Sequence, residues 1–154
     1  MADSQKLDAI ALLKKDHRTV EELFSQFEKA SGDGRKEKLA QQICLELSVH
    51  AQIEEEIFYP ACEGQVEEDM LNEAYVEHDG AKVLIAEILG GGPSDEFYDA
   101  KVKVLQEEIE HHVEEEEKRM EGLFAQARKA ELTDRFENDG IPTPKLTTME
   151  QATV

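Results

Sequence analysis

Apolar residues recur at intervals of three and four along most of this chain. One series runs Ile10, Leu13, His17, Val20, Phe24 and Phe27; another runs Leu71, Ala74, His78, Ala81, Ile85 and Ile88. Both step 3, 4, 3, 4, 3, the period of a helix with one buried face. Two further series, Ile43, Leu47, His50, Glu54, Phe58, Ala61 and Leu105, Ile109, His112, Glu116, Met120, Leu123, step 4, 3, 4, 4, 3. Glycine and proline punctuate the chain at "SGDG" (31–34) and "GGGPSD" (90–95), and more weakly at "CEGQVE" (62–67). The pattern predicts four helices. The first starts from an N-cap at Asp3 or Ser4, runs to Ala30 and is ended by Gly32; the second covers 35–62 and the third 66–89. The fourth follows Ser94, with Asp95 and Glu96 at its positive end, and reaches Phe136 with an interruption near Gly122. No stretch alternates with a period of two for long enough to form a sheet. Four long helices with short connections predict an all-α, antiparallel up-down-up-down four-helix bundle over residues 1–136. The closing "NDGIPTPKLTTMEQATV", with glycine, prolines and threonines, predicts a flexible tail over 137–154.

The four series form two copies of one hairpin, with His78 61 residues after His17 and His112 62 residues after His50. Each copy carries one histidine on its first helix and His-x-x-x-Glu on its second. Residues i and i+4 share a helical face, so His50 with Glu54, and His112 with Glu116, aim at one point. His17 and His78 face them from the other helices. A single histidine on an apolar stripe is more often a hydrogen-bonded core residue, and a single His-x-x-x-Glu means little in so glutamate-rich a chain. Four of the five histidines at matching depth, with two matching glutamates, are a different matter. Buried imidazoles and carboxylates are costly unless paired or bound to metal, and this donor set suits transition ions. The candidate metal ligands are therefore His17, His50, Glu54, His78, His112 and Glu116. The two carboxylates can each bridge a pair of ions, with two histidines per ion.

Several neighbours need placing. His111 with Glu115 has the same spacing shifted by one; the more apolar stripe favours His112 and Glu116. Glu55 and Glu117 recur one residue past the glutamates, either as acceptors for imidazole N–H groups or as surface carboxylates. Asp16, Arg18, Glu77 and Asp79 flank the histidines and are expected to face solvent. Tyr59 and Tyr75 fall near the same level and are expected to pack in the core. Lys82 stands at i+4 from His78, so the third helix offers no second imidazole.

Composition narrows the partners. Against 17 Lys and Arg stand 36 Asp and Glu, a net charge of −19. Such a surface repels phosphate backbones and anionic lipid and draws cations, so neither nucleic acid nor membrane is expected as a partner. No run approaches the roughly 18 apolar residues of a spanning helix, and the N-terminus lacks the order of a secretion signal. A cytoplasmic location is the resulting expectation. Cys44 and Cys62 on one helix would lie ~27 Å apart, too far for a disulfide.

"KKDHRTVEELF", "SVHAQIEEEIFYP", "YVEHDGAKVLI" and "EHHVEEEEKRM" together resemble the four helical signatures of the hemerythrin-like, or HHE cation-binding, domain. The resemblance covers roughly residues 7–125, and the stretch around His50 is its most specific part. It implies an up-and-down bundle holding a non-heme di-iron centre, two Fe ions with an oxo or hydroxo bridge, on the same six residues. It also implies a small ligand: O2, peroxide or nitric oxide. Some relatives are similar to catalases in activity. Oxygen carriers of the family have a second histidine on the third helix where Lys82 stands, and an aspartate after the fourth-helix histidine where Glu116 serves here. That departure argues against reversible O2 carriage and leaves three readings: a di-iron protein reacting with or sensing the small ligand, an iron-storing or iron-sensing protein without turnover, or a metal-free structural bundle. Whether the chain is a homodimer is left open.

Overall fold

The computed structural model describes residues 9–130. They form helices α1 (Ala9–Lys29), α2 (Asp33–Ile53), α3 (Tyr59–Cys62), α4 (Glu68–Gly90), α5 (Tyr98–Glu117) and α6 (Leu123–Lys129), with a π-helical turn, Glu54–Phe58, joining α2 to α3. No strand occurs among the described residues, and no helix among them is long and apolar enough to cross a membrane. The expected start at Asp3 or Ser4, the end near Phe136 and the tail 137–154 lie outside the described residues.

The breaks fall where glycine permits them. Gly32 (φ 89°) and Gly64 (φ 76°) adopt left-handed backbone conformations that a side chain disfavours, and these stop the chain after α1 and α3. In the third break the helix starts later than expected. Asp95 sits in the turn before it, where its carboxylate accepts the Phe97 backbone N–H at 3.4 Å and receives Lys101 Nζ at 3.3 Å, and α5 begins at Tyr98.

The four long helices contact one another as α1 with α2, α2 with α4, α4 with α5, and α5 with α1. Two apolar clusters fill the interior. One joins Val20, Phe24 and Phe27 of α1, Ile43 and Leu47 of α2, Ala81, Ile85 and Ile88 of α4, and Val102 and Leu105 of α5. The other joins Ile10 and Leu13, Ile53, Phe58 and Tyr59, Leu71 and Ala74, and Leu123 and Phe124 of α6. The stripes predicted for α1 and for the third helix are buried at every position. All six candidate ligands lie between the two clusters and are themselves buried.

Two stretches depart from the predicted periodicity. After Glu54 the second stripe continues to Phe58, which is buried as predicted, but not to Ala61. Instead the backbone N–H of Tyr59 bonds to the carbonyl of Glu54, an i to i+5 link. The wider turn shifts the phase by one residue, so Tyr59 and Cys62 are fully buried and Ala61 only half. The fourth helix does not run on to Phe136: α5 stops at Glu117, Lys118 is extended (ψ 130°), and α6 restarts after Gly122. A Cβ on Gly122 would lie 2.6 Å from the Glu116 carbonyl oxygen, so the return of the chain against the end of α5 requires glycine. Met120, assigned to the buried stripe, is 74% exposed in this reversal, while Leu123 reaches the core from α6.

Both cysteines are free and buried, as the spacing argument requires. Burial pushes the Cys44 thiol up to about 11. Native protein is therefore expected to leave both thiols unlabelled by a disulfide reagent at pH 8, and to label them fully once unfolded in guanidinium. Because the folded pKa of Cys44 exceeds its unfolded value of 9.0, its contribution to stability is complete below pH 9 and declines as pH rises towards 11. A melting temperature that is flat from pH 8 to 11, in a Cys44→Ala background-corrected comparison, would contradict this.

Candidate metal centre

The π turn is where the site begins. It places Glu54 and Tyr59 together in the interior, beneath His50 one turn earlier. His50 Nε2 lies 3.3 Å from Glu54 Oε1. The same oxygen is 3.0 Å from His78 Nε2 on α4 and 3.8 Å from His112 Nε2 on α5. Across the interior, Glu116 presents Oε1 to His17 Nε2 at 3.2 Å and Oε2 to His112 Nε2 at 3.3 Å. His17, His50, Glu54 and Glu116 thus form one potential ligand group and Glu54, His78 and His112 a second, with the donor atoms of each within 4.8 Å of one another. The structure brings together all six residues singled out by the sequence.

The orientation of the imidazoles is set from outside. His50 Nδ1 is 3.1 Å from Asp16, His78 Nδ1 2.8 Å from Glu55, His112 Nδ1 2.7 Å from Glu77, and His17 Nδ1 pairs with Glu117. Each Nδ1–H therefore donates to a carboxylate, and each Nε2 turns its lone pair inward. The bracing follows chain order: α1 holds the histidine of α2, the π turn that of α4, α4 that of α5, and α5 closes back on α1. Asp16 and Glu77, expected to face solvent, reach across instead; Asp16 is buried. Three of the four braces are themselves held by an outer cation or imidazole. Arg18 reaches Glu117 at 2.6 Å, Lys82 reaches Glu55 at 2.8 Å, and His111 Nε2 lies 3.3 Å from Glu77. Burial alone would raise the braces Glu55, Glu77 and Glu117, but hydrogen bonds from Lys82 and His78, from His112, and from His17 and Arg18 outweigh it and hold them below the ordinary carboxylate range. His111 is 63% exposed and outside the cluster, so His112 and Glu116 rather than His111 and Glu115 face the centre.

Tyr59 is not a plain packing residue. Its hydroxyl lies 3.2 Å from Glu54, 3.3 Å from His78 Nε2 and 3.1 Å from His112 Nε2, and it donates a short hydrogen bond to Glu116. Burial, then Glu116 and Glu54, hold its pKa well above the usual phenol value, so the proton stays. Tyr75 only packs edge-on against it.

The donor set fits a cation. His17 Nε2, His50 Nε2, Glu54 Oε2 and Glu116 Oε1 are buried with no hydrogen-bond partner outside the cluster; an inward Nε2 lone pair facing a carboxylate oxygen sets acceptor against acceptor, a costly state in an apolar interior. Two donors each about 2.1 Å from one ion stand roughly 3.0–3.4 Å apart, which matches the spacings from Glu54 to His50 and His78 and from Glu116 to His17 and His112. Without an ion, protons take its place. Burial lowers the His50 imidazole, but Glu54 and Asp16 outweigh it and raise it to about 10. His17 and His112 shift upward for the same reason, burial being outweighed by Glu116 and by Glu117 or Glu77.

One cavity adjoins the centre. It measures about 40 Å³, has the four histidines on its floor, and is walled by aliphatic side chains such as Val20, Leu47, Ile85 and Ile109 from all four long helices. That is space for about three waters. Exposed Ser48 and Lys82 stand at its edge.

A helical protein with a buried cluster of braced imidazoles around two carboxylates is of the cation-binding kind. The hemerythrin HHE cation binding domain model matches residues 8–124, and the chain belongs to that family. It is 25% identical over 135 residues to a protein named DNA nickase from Nostoc sp. (strain PCC 7120 / SAG 25.82 / UTEX 2576), a match covering 88% of this chain but 38% of that protein's length. Among solved structures, a hemerythrin HHE cation binding domain-containing protein from Mycobacterium kansasii superposes with a TM-score of 0.72 at 22% identity, over 96% of this chain and 88% of the other. That likeness shows a shared fold.

Proposed function

We propose that this chain is a four-helix, up-down-up-down bundle whose six residues His17, His50, Glu54, His78, His112 and Glu116 hold two iron ions that bind and react with O2, peroxide or nitric oxide. One observation carries the reading: four imidazoles, each braced at Nδ1 by a carboxylate of a neighbouring helix, turn Nε2 towards two buried carboxylates whose outer oxygens have no other partner. The antiparallel arrangement is supported by the cores, since the later halves of α1 and α4 share a cluster with the earlier halves of α2 and α5. Iron, when bound, supplies the one-electron chemistry such ligands need. The residues do the rest. The aliphatic cavity admits a diatomic or a peroxide and excludes organic substrates by size. Tyr59 holds a proton at the inner face of the second ligand group, where a bound ligand would need one. A chain this acidic is a poor match for DNA, so the nickase name is not carried across. Bulk iron storage is disfavoured by the same small cavity, which has no room for a mineral.

The test is metal content with turnover. Protein from iron-fed cells should hold roughly two irons per chain, show an optical spectrum that changes between anaerobic and aerobic preparation, and consume peroxide. Tyr59→Phe should keep its iron and lose about 10²-fold in peroxide turnover. Less than one iron per chain after reconstitution would refute the reading; an unchanged rate in Tyr59→Phe would remove the tyrosine from it.

A further inference from the structure

A second hollow lies on the outer surface of the α4 and α5 pair, away from the interior cavity. It has a volume of about 450 Å³ and is lined by Val76, Glu77 and Gly80 of α4 and by Val104, Glu107, Glu108 and His111 of α5. On α4 the positions 76, 80 and 83 share one face, and on α5 the positions 104, 107, 108 and 111 do so. The floor is apolar and open: Val76 is 69% exposed and Val104 45%, and Val83, beyond the lining on the same face of α4, is 60% exposed. Valine on a solvated helical face gains nothing from packing and is a poorer helix former than the lysine or glutamate used elsewhere on this surface.

Gly80 sharpens the point. It sits in mid-helix with ordinary backbone, and a Cβ there would meet nothing closer than Glu108 Oε2 at 3.9 Å. Neither a turn nor internal packing requires glycine, and its cost to the helix is unrepaid within the chain. What its missing side chain leaves is depth in the hollow, between exposed Val76 on its own helix and Val104 across the way. The charged groups around it are Glu77, Glu107 and Glu108, with His111 the single basic side chain of the lining.

We propose that this groove docks an amphipathic helix of a partner protein, one that presents small aliphatic side chains to the valines and lysine or arginine to the three glutamates. Charge complementarity selects that occupant. A second copy meeting here in a two-fold contact would set Glu107 and Glu108 against their own equivalents, and like charges in apposition oppose association. A basic helix meets the opposite sign over the same floor. Its cations would approach Glu77 beside His111, which lies 3.3 Å from one oxygen, while the other braces His112 at 2.7 Å, so the groove abuts the interior site through one carboxylate. The docking itself rests on the groove and not on the metal reading.

A fluorescein-labelled peptide of about 18 residues, long enough to hold a helix, with lysines on one face and valine and alanine on the other, is the probe. Titrated with the full chain, it should bind in the micromolar range, weaken at higher salt, and shift backbone amide resonances at Val76, Gly80, Val83, Val104 and His111. Gly80→Leu fills the groove with a better helix former and should raise the dissociation constant at least tenfold without lowering the melting temperature. Glu107→Lys should weaken binding comparably, whereas Glu37→Lys on α2, the same charge change elsewhere, should leave it within twofold. The proposal is overturned by no binding of the peptide, by unchanged affinity in Gly80→Leu, by equal losses in Glu107→Lys and Glu37→Lys, or by resonance shifts centred on another face. A concentration-dependent dimer in sedimentation that Gly80→Leu dissociates would overturn it in favour of a second copy.

Discussion

Replacing Glu54 by glutamine should empty both ion positions, whereas replacing His17 by alanine should empty one. Glu54 is the only residue common to the two ligand groups, with His50, His78 and His112 all within 3.8 Å of one of its oxygens. Glutamine keeps the volume and an acceptor for Tyr59 but removes the charge, and a neutral amide is a weak ligand and a poor bridge. Iron content in Glu54→Gln should therefore fall from roughly two per chain to well under one. His17 belongs to the first group alone, so its loss spares Glu54, His78 and His112 and should leave roughly one ion. His111→Ala, outside both groups, should change neither number. Elemental analysis of the four proteins, purified and reconstituted alike, decides the matter. Equal iron in Glu54→Gln and wild type would show that Glu54 is not shared between ions.

Ferrous iron added under argon to metal-free protein should raise its melting temperature by roughly 5–11 °C when free metal is about a hundredfold above its dissociation constant. Binding to the folded chain alone then stabilises by about 2.7 kcal/mol, and each kcal/mol is worth about 2–4 °C in a domain of this size. A chelator should reverse the gain. The increment should also grow with pH. With burial outweighed by Glu54 and Asp16, the His50 pKa is raised to about 10, so near neutrality a proton occupies the ligand group and an ion must displace it. The raised pKa stabilises the metal-free fold fully below the unfolded value of 6.5, and that support is lost as pH rises through about 10. Metal-free protein is thus best supported where protons compete hardest, and the shift on adding iron should be smaller at pH 6 than at pH 8. Calorimetry at both values, with and without metal, measures it. An increment independent of pH would mean that the displaced groups carry no proton.

Periodicity carried most of the interior of this protein. A helix buries one face, so the steps of three and four along α1 and α4 name their buried residues without reference to any other helix. The duplicated hairpin placed all six inward His and Glu residues at one level for the same reason. Tertiary structure decided what lies between helices. A residue adjacent to a ligand sits about 100° round the helix, which one-helix reasoning assigns to solvent. In the packed ring that direction points at the next helix, which is why Asp16 and Glu77 brace His50 and His112. The repeat did hold a signal for them, since each precedes a ligand at an equivalent position, as Glu55 and Glu117 each follow one. The π turn left no such trace: one residue more per turn costs little locally, and only the core can favour bringing Tyr59 and Cys62 inward in place of Ala61. Likewise the end of α5 at Glu117 is set by α6 returning to stack Phe124 on His17. A stripe along one helix is written in that helix's own residues, whereas a contact between helices depends on how they cross, and that exists only once they are packed.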